Sequence, residues 1–414
     1  MPRICIVTPS YLVSSPRVVK EAEALSEAGH EVTVLHTHGP LRQIAQWDEE
    51  LYSHRPWKRV AVRWDGRGLA ATARFWVGTA TEKLSRTLAP DGGWGPSWAA
   101  WAEFRAAPFL AALAQRHRAD LYIGHYPAGL HAAGLAAQRH GAKLAFDAED
   151  LHIGEFGPEQ SAEAALRHPR ARRIHRIESW WLPRCAYVTA SSEGIATALI
   201  ETYGIAIPSV ILNCFHPIET LPQHTGDPIR LAWFSQTIGL DRGLEELFEA
   251  LSDITIPLKV SLRGWHNNES QRIFSNAMKK LPANVAVEFL DLLPPDKLTH
   301  WLAEHDIGIA SEVPRVWNRD ICLTNKIFNY MSAGCAVIAS DTSAQKNLFA
   351  QAGDIGCCVK WSRVPIAQAV TRLSADRDYL MRCRRTALLS AQTIFSRERQ
   401  QQKLQLAVAE AFAK

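Results

Sequence analysis

Short runs of β-branched and aliphatic residues alternate along the whole chain with stretches whose apolar positions recur every three or four residues. The pattern predicts strands at 3–7, 31–35, 59–63, 120–124, 143–147, 186–190 and 208–212. Helical spacing fills the gaps, most clearly at 17–28, 127–140 and 192–202. Such alternation predicts parallel sheets built from strand–helix–strand units. At 213–228 it stops: "NCFHPIETLPQHTGDP" is rich in Pro, Gly and polar residues and reads as a linker. It then restarts, with strands at 229–234, 258–263, 285–290, 306–310, 335–339 and 355–359. Helices are predicted between them at 242–252, 269–281, 295–304, 325–333, 344–351 and 364–374. The segment 377–412 holds two helical patterns and no strand. The expected organisation is an α/β domain at 1–218, a second at 226–394, and a final helix at 395–414 that packs back towards the first.

A chain of 414 residues has room for two such domains. Its 46 basic and 42 acidic side chains leave a net charge of +4, too even for a general nucleic-acid binder. No apolar run approaches the roughly 18–20 residues of a membrane span, and the apolar start is too short for a signal-peptide core. A cytoplasmic protein is therefore expected. The eight Cys form no CxxC pair, which fits reduced thiols acting as small core residues. His36 and His38 share one strand face, but a zinc site needs more ligands and the neighbouring sequence offers none, so no metal is expected.

Two doubly wound domains facing a cleft would bind ligands just beyond the carboxyl ends of their strands. In the first domain that rule selects four places. "TPSYLVSSPR" leads to Arg17 at the start of the first helix, where Ser15 and Pro16 also fit a helix start. "DLYIG" ends at His125. "DAEDLH" follows the next strand and supplies Asp147, Glu149 and Asp150, either as acid/base and acceptor-binding groups or as a solvated acidic turn. His131 falls inside the following helix, away from the cleft.

In the second domain "IRLAWF" runs into "SQTIGLDRGLEEL", where Gly239 and Gly243 allow close backbone approach and Asp241 can cap the helix. A phosphate at such a helix start meets free N–H groups, and Arg242 adds a full charge. Arg263 and Gly264 end the next strand. The segment "LTNKIFNYMSAGCAVIASD", 323–341, places Lys326 in the first turn of a helix, where a cation opposes the macrodipole. An anion bound there, with Thr324, Asn325 and the first amides as donors, turns that conflict into attraction.

These segments together resemble the GT-B glycosyltransferases, specifically the family-four group of retaining, nucleotide-sugar-dependent enzymes. "SPRVVKEAEALSEAGHEVTVL", "DLYIGHYPAGLHAAGLA", "FSQTIGLDRGLEELFEAL" and "NKIFNYMSAGCAVIASD" are similar to the family's blocks, in the family's order. The resemblance implies the GT-B fold, two Rossmann-like domains facing a central cleft. It implies a nucleoside-diphosphate-sugar donor, UDP- or GDP-linked, and transfer with retention and without a metal. The phosphates would lie near Ser235, Gln236, Gly239, Arg263, Gly264, Thr324 and Asn325, with Asn329 on the ribose. His125, Arg242 and Lys326 are the implied catalytic residues; Arg17, Asp147, Glu149 and Asp150 lie on the acceptor side. The chain departs from the family at Gln236, where an Arg is usual, and at Ile321 and Asn329, where Glu is usual.

Half of the 14 Trp fall between 47 and 101, inside a long segment at about 41–118. "LRHPRARRIHRIESWW", 166–181, mixes Arg with paired Trp, the composition of a peripheral membrane contact or of a site for a glycan or lipid-linked acceptor. A solvated basic helix is the other reading. Alternative functions are a non-catalytic relative that binds nucleotide or glycan, and a nucleotide-sugar epimerase. "GRGLAA", 66–71, matches the dinucleotide fingerprint only loosely and is not on the first strand, which argues against an oxidoreductase.

Overall fold

A computed structural model describes residues 1–157, 160–222 and 226–413. The chain divides into two compact units, one of residues 1–212, 315–318 and 401–414, the other of residues 213–314 and 319–400. Residues 223–225, inside the expected linker, lie outside the described residues.

The first unit is built on seven strands: β1 (Arg3–Val7), β2 (Glu31–His38), β3 (Lys58–Arg63), β4 (Leu121–His125), β5 (Lys143–Ala148), β6 (Tyr187–Ala190) and β7 (Ser209–Val210). They pair in parallel in the order β3-β2-β1-β4-β5-β6-β7. The central strands are buried along their length, because helices cover both faces of a parallel sheet. Helix Pro16–Glu27 follows β1 and carries Val18, Ala22 and Leu25 into the same core as Ile4, Ile6 and Val34. Leu404 and Val408, from the terminal helix Arg397–Ala413, join that core. Gln405 of the same helix donates to the Ala24 carbonyl at 3.1 Å. β7 is shorter than the predicted 208–212: it begins after Pro208, which has no N–H to give a ladder, and it sits at the sheet edge.

The second unit is built on β8 (Ile229–Thr237), β9 (Leu258–Trp265), β10 (Val285–Leu290), β11 (Ile307–Ala310), β12 (Ala336–Ser340) and β13 (Gly356–Val359). These are also all parallel, in the order β10-β9-β8-β11-β12-β13. Both sheets therefore reverse strand order once, beside β1 in the first and beside β8 in the second, the doubly wound arrangement of dinucleotide-binding folds. Trp233, Ile309, Ile338 and Phe274 anchor the second core.

Tyr330 lies flat against β11, so close that a Cβ on Gly308 would stand 2.2 Å from its ring. None of the eight cysteines is in a disulfide; six are buried, and Cys185 and Cys358 are partly exposed. Among the described residues no helix is long and apolar enough to cross a membrane.

The Trp-rich segment at about 41–118 is mostly helical. It forms helices Arg42–Tyr52, Leu69–Leu88, Pro96–Glu103 and Ala107–Ala114 around edge strand β3. Trp57 is buried, Trp94, Trp98 and Trp101 form a ring cluster, and Trp76 and Trp94 are exposed. "GRGLAA" opens helix Leu69–Leu88 beside the edge strand rather than the central one.

Candidate functional site

In the first unit the expected acceptor-side residues collect at the carboxyl ends of β4 and β5, but they are mostly buried and paired. Arg17 donates from Nε to Asp147 Oδ1 at 3.0 Å and from Nη2 to Oδ2 at 2.6 Å, and from Nη1 to the Ile211 carbonyl at 2.6 Å. Neither member of the pair is more than 6% exposed, so Arg17 is not a solvated surface residue. Burial works against the Asp147 carboxylate, yet Arg17 outweighs it and holds the group below the ordinary carboxylate range.

His125 is the last residue of β4 and is fully buried. Its Nε2 lies 2.7 Å from Glu21 Oε2, and its Nδ1 lies 3.8 Å from Glu149 Oε1. Burial disfavours the imidazolium, but Glu21 and Glu149 prevail and push the ring up to about 10. At neutral pH it is a cation locked between carboxylates. Glu149 also accepts from the Tyr126 hydroxyl at 2.9 Å, and Asp150 accepts from Asn318 at 2.8 Å. The turn 147–152 is therefore not a solvated acidic turn: each of its carboxylates is engaged inside the unit. His131 is buried in helix Tyr126–His140, where its Nδ1 accepts from Trp181 Nε1 at 3.1 Å.

Glu21 is a residue that strand-end inspection misses. It stands four residues after Arg17, on the same helix face, and that spacing was the available signal.

In the second unit the answer to the cation at a helix start is Glu312. Lys326 is buried in the first turn of helix Asn325–Ser332, with Nζ 2.7 Å from Glu312 Oε1 and 5.7 Å above the Trp233 ring. Glu312 Oε2 accepts from Arg319 at 3.1 Å, and its Oε1 also accepts from the Thr324 hydroxyl at 3.0 Å. Burial raises this carboxyl, but Lys326 and Arg319 overcome that and hold it below the usual range. Glu312 thus faces two cations, Lys326 and Arg319. The helix itself has no acidic residue in its first turn, and Thr324 provides no side-chain cap, so its leading amides keep their positive end of the dipole.

Arg242 belongs to the same neighbourhood. Its carbonyl accepts from Ser311 Oγ at 2.7 Å, Ser311 Oγ accepts from Trp233 Nε1 at 2.9 Å, and Ser311 precedes Glu312 in the chain. The Arg242 guanidinium makes no ion pair among the described residues and is partly exposed. Gly243 has φ +75°, and a Cβ there would meet Trp361 Nε1 at 2.5 Å, so only glycine fits where the loop tucks under Trp361.

The expected cap of the following helix is corrected: Gly243 occupies that position, Asp241 is left-handed, and the helix runs Leu244–Leu251. Glu245 and Glu246 fill its first turn, so this helix start favours anions less than that of Asn325–Ser332.

The remaining donor-side residues are placed as follows. A Cβ on Gly264 would lie 2.6 Å from the Ser235 carbonyl, so the two strand ends touch through backbone. A Cβ on Gly239 would make only an ordinary contact with Thr237 at 3.7 Å, and Gln236 is exposed. Arg263 donates to the Asp291 carbonyl at 2.5 Å and stacks on Trp301 at 4.4 Å. Asn325 Oδ1 accepts from Asn213, and Asn329 is buried with its amide nitrogen on the Asn325 carbonyl at 2.8 Å. Glu312 was legible in principle, because it follows β11 as the other candidates follow their strands.

The basic helix Pro169–Trp181 carries less free charge than its composition implies. Arg170 and Arg173 pair with Glu103 at 3.0 and 2.5 Å, Arg172 pairs with Asp91 at 2.7 Å, and Trp181 is buried.

Residues 17–217 match the family model for Glycosyltransferase Family 4. No curated protein matches the chain. Among solved structures, sucrose-phosphate synthase from Thermosynechococcus elongatus is similar with a TM-score of 0.71 at 14% identity, covering 99% of each chain. Anabaena HepE in complex with UDP and glucose gives a TM-score of 0.67 at 13% identity, covering 99% of this chain and 100% of that one. A glycosyltransferase from Rickettsia africae gives 0.62 at 13%, covering 98% and 97%. The chain thus has the GT-B fold of those structures, two doubly wound units, and its residues 17–217 resemble Glycosyltransferase Family 4.

Proposed function

We propose that the chain transfers a sugar from a nucleoside-diphosphate sugar to a glycan, lipid-linked or small-molecule acceptor, with retention at the anomeric carbon and without a metal. The observation that carries this reading is the uncapped start of helix Asn325–Ser332, with Lys326 buried on it and held by Glu312. A diphosphate there meets backbone amides and Lys326, with Arg242 on the adjoining loop. Those groups stabilise the charge that grows on the leaving diphosphate, and being fixed beforehand they need no rearrangement. In a front-face substitution the acceptor hydroxyl attacks on the side from which the diphosphate departs, and a phosphate oxygen takes its proton. No protein base is then needed. Glu312 acts as a positioning residue, since it holds the ammonium in one place. A uridine nucleotide is the first donor class to test, because HepE, of the same fold, is seen with UDP and with UDP-glucose. The exposed Trp76 and Trp94 are surfaces on which a sugar or a lipid-linked acceptor could stack in the first unit.

A thermal-shift screen of nucleotide sugars identifies the donor; Lys326→Ala is then assayed for transfer and for slow donor hydrolysis. The expected loss is at least about a hundredfold, the scale of a removed transition-state donor. Near-normal turnover in a folded variant refutes the role. Gln236, exposed, and Asn329, bonded to its own helix, favour one other reading, a nucleotide or glycan binder without turnover. Donor binding with no hydrolysis or transfer in the unaltered chain would establish that reading instead.

A further inference from the structure

Three groups outside the sites described above converge at the carboxyl end of β2. His36 and His38 stand two residues apart and so on one face of the strand. Asp48 reaches them from helix Arg42–Tyr52. Asp48 Oδ2 lies 3.1 Å from His38 Nε2 and 3.7 Å from His36 Nδ1. The two imidazole rings are 4.8 Å apart at 78°. His36 and Asp48 are fully buried and His38 is 4% exposed.

Ordinary packing does not account for His36. Both of its ring nitrogens are buried without a hydrogen-bond partner, which is costly for a group that could be replaced by an apolar one of the same shape. A shared ion removes that cost. One ligand atom from each of the three residues falls within 4.8 Å of the other two. Ligands at about 2.1 Å from a tetrahedral ion are about 3.4 Å apart, and 3.1 and 3.7 Å bracket that spacing. The surroundings fix the set. Asp48 accepts the N–H groups of Leu12 at 3.0 Å and Val13 at 2.7 Å, and Tyr11 stacks on His38 at 5.7 Å. Carboxylate and imidazole ligands held by such outer partners are the usual support of a metal site.

We propose that His36, His38 and Asp48 bind a divalent transition-metal ion of the zinc class, with water completing the coordination. Two imidazoles and one carboxylate suit zinc, cobalt, nickel or ferrous iron, whereas calcium and magnesium take oxygen ligands. The ion ties β2 to the 11–13 loop and to helix Arg42–Tyr52, so it serves the architecture of the first unit and not sugar transfer.

The test uses the full chain, stripped with a chelator and passed through gel filtration after addition of Zn²⁺ or Co²⁺. One equivalent of metal should be retained, thermal stability should rise, and bound Co²⁺ should show the visible absorption of a four- or five-coordinate site. His36→Phe keeps the ring and removes both nitrogens. It should fold, lose zinc affinity by at least about a hundredfold, since even outer partners matter ten- to hundredfold, and lose the metal-dependent stabilisation. Two results overturn the proposal: no metal retained and no thermal response in the unaltered chain, or equal retention by His36→Phe. Folding does not cloud the second, because His36→Phe leaves the Asp48 bonds to Leu12 and Val13 in place.

Discussion

Buried ionisable side chains decide much of this protein's chemistry, and they fall into two groups by what surrounds them. Lys326, Arg17 and His125 are buried with carboxylates, and for Arg17 and His125 those carboxylates favour the charged form. Burial acts alone on His131 and outweighs Asp306 and Glu288 at His305, pushing both down to about 4 from an ordinary value of 6.5. His131 must stay neutral to accept from Trp181. The unfolded chain takes up a proton on these rings near pH 6.5, while the folded chain resists until about pH 4. Stability therefore falls as pH drops through that window, by on the order of 3 kcal/mol for a ring shifted this far. His125 acts in the opposite direction: its contribution is whole below pH 6.5 and fades as pH rises through about 10. Urea unfolding across pH checks both, and His131→Gln, whose carbonyl can still accept from Trp181, should flatten the acid side. An unchanged acid slope would refute this assignment. Residue identity was legible in the sequence, but partners were not. "DAEDLH" announced carboxylates; only the fold shows that Arg17 and Asn318, far away in the chain, use them up.

The elements were far more legible than their contacts. All thirteen strands lie at or within a few residues of the predicted runs, because a strand covered on both faces is an unbroken apolar run in the sequence. Deviations trace to backbone chemistry: Pro208 shortens β7, and left-handed Asp241 and Gly243 delay the helix expected from 242. Gly308 shows what the pattern hides. It looks like any small strand residue, yet Tyr330 packs onto it, donates its hydroxyl to the Ile309 carbonyl at 3.1 Å and meets Phe234 edge-on. Gly308→Ala should cost about 1–3 kcal/mol by overpacking, seen as a lower urea midpoint at unchanged slope. Gly239→Ala, with its nearest neighbour at 3.7 Å, should cost much less. Equal midpoints for the two variants would show that Tyr330 can move aside.

At the scale of the whole chain, the sequence announced two doubly wound units and a tail of helices. It announced a terminal helix packing back towards the first unit, but not that residues 315–318 belong to that unit, since docking of a distant segment leaves no local periodicity. Nor could it show that Asp48 joins His36 and His38, because a helix residue and a strand face meet only in three dimensions. The candidate donor site was half legible for the same reason. Lys326 and Arg242 stood out as cations at element starts, while the pairing of Glu312, itself just past a strand end, with the first of them became visible only through the fold.

The free thiols carry a consequence for watching this molecule open. Cys5 lies in β1 of the first sheet, whereas Cys335 and Cys383 pack in the second unit, and burial pushes the latter two up to about 12. A thiol kept protonated and out of solvent reacts with an alkylating reagent only while its surroundings are transiently parted. Mass-resolved labelling at Cys5 and at Cys335 therefore times the loosening of each half separately, with no probe engineered in. If the halves unfold as one cooperative body, the two positions will label at the same opening free energy; a difference between them would give the stability of the weaker half directly.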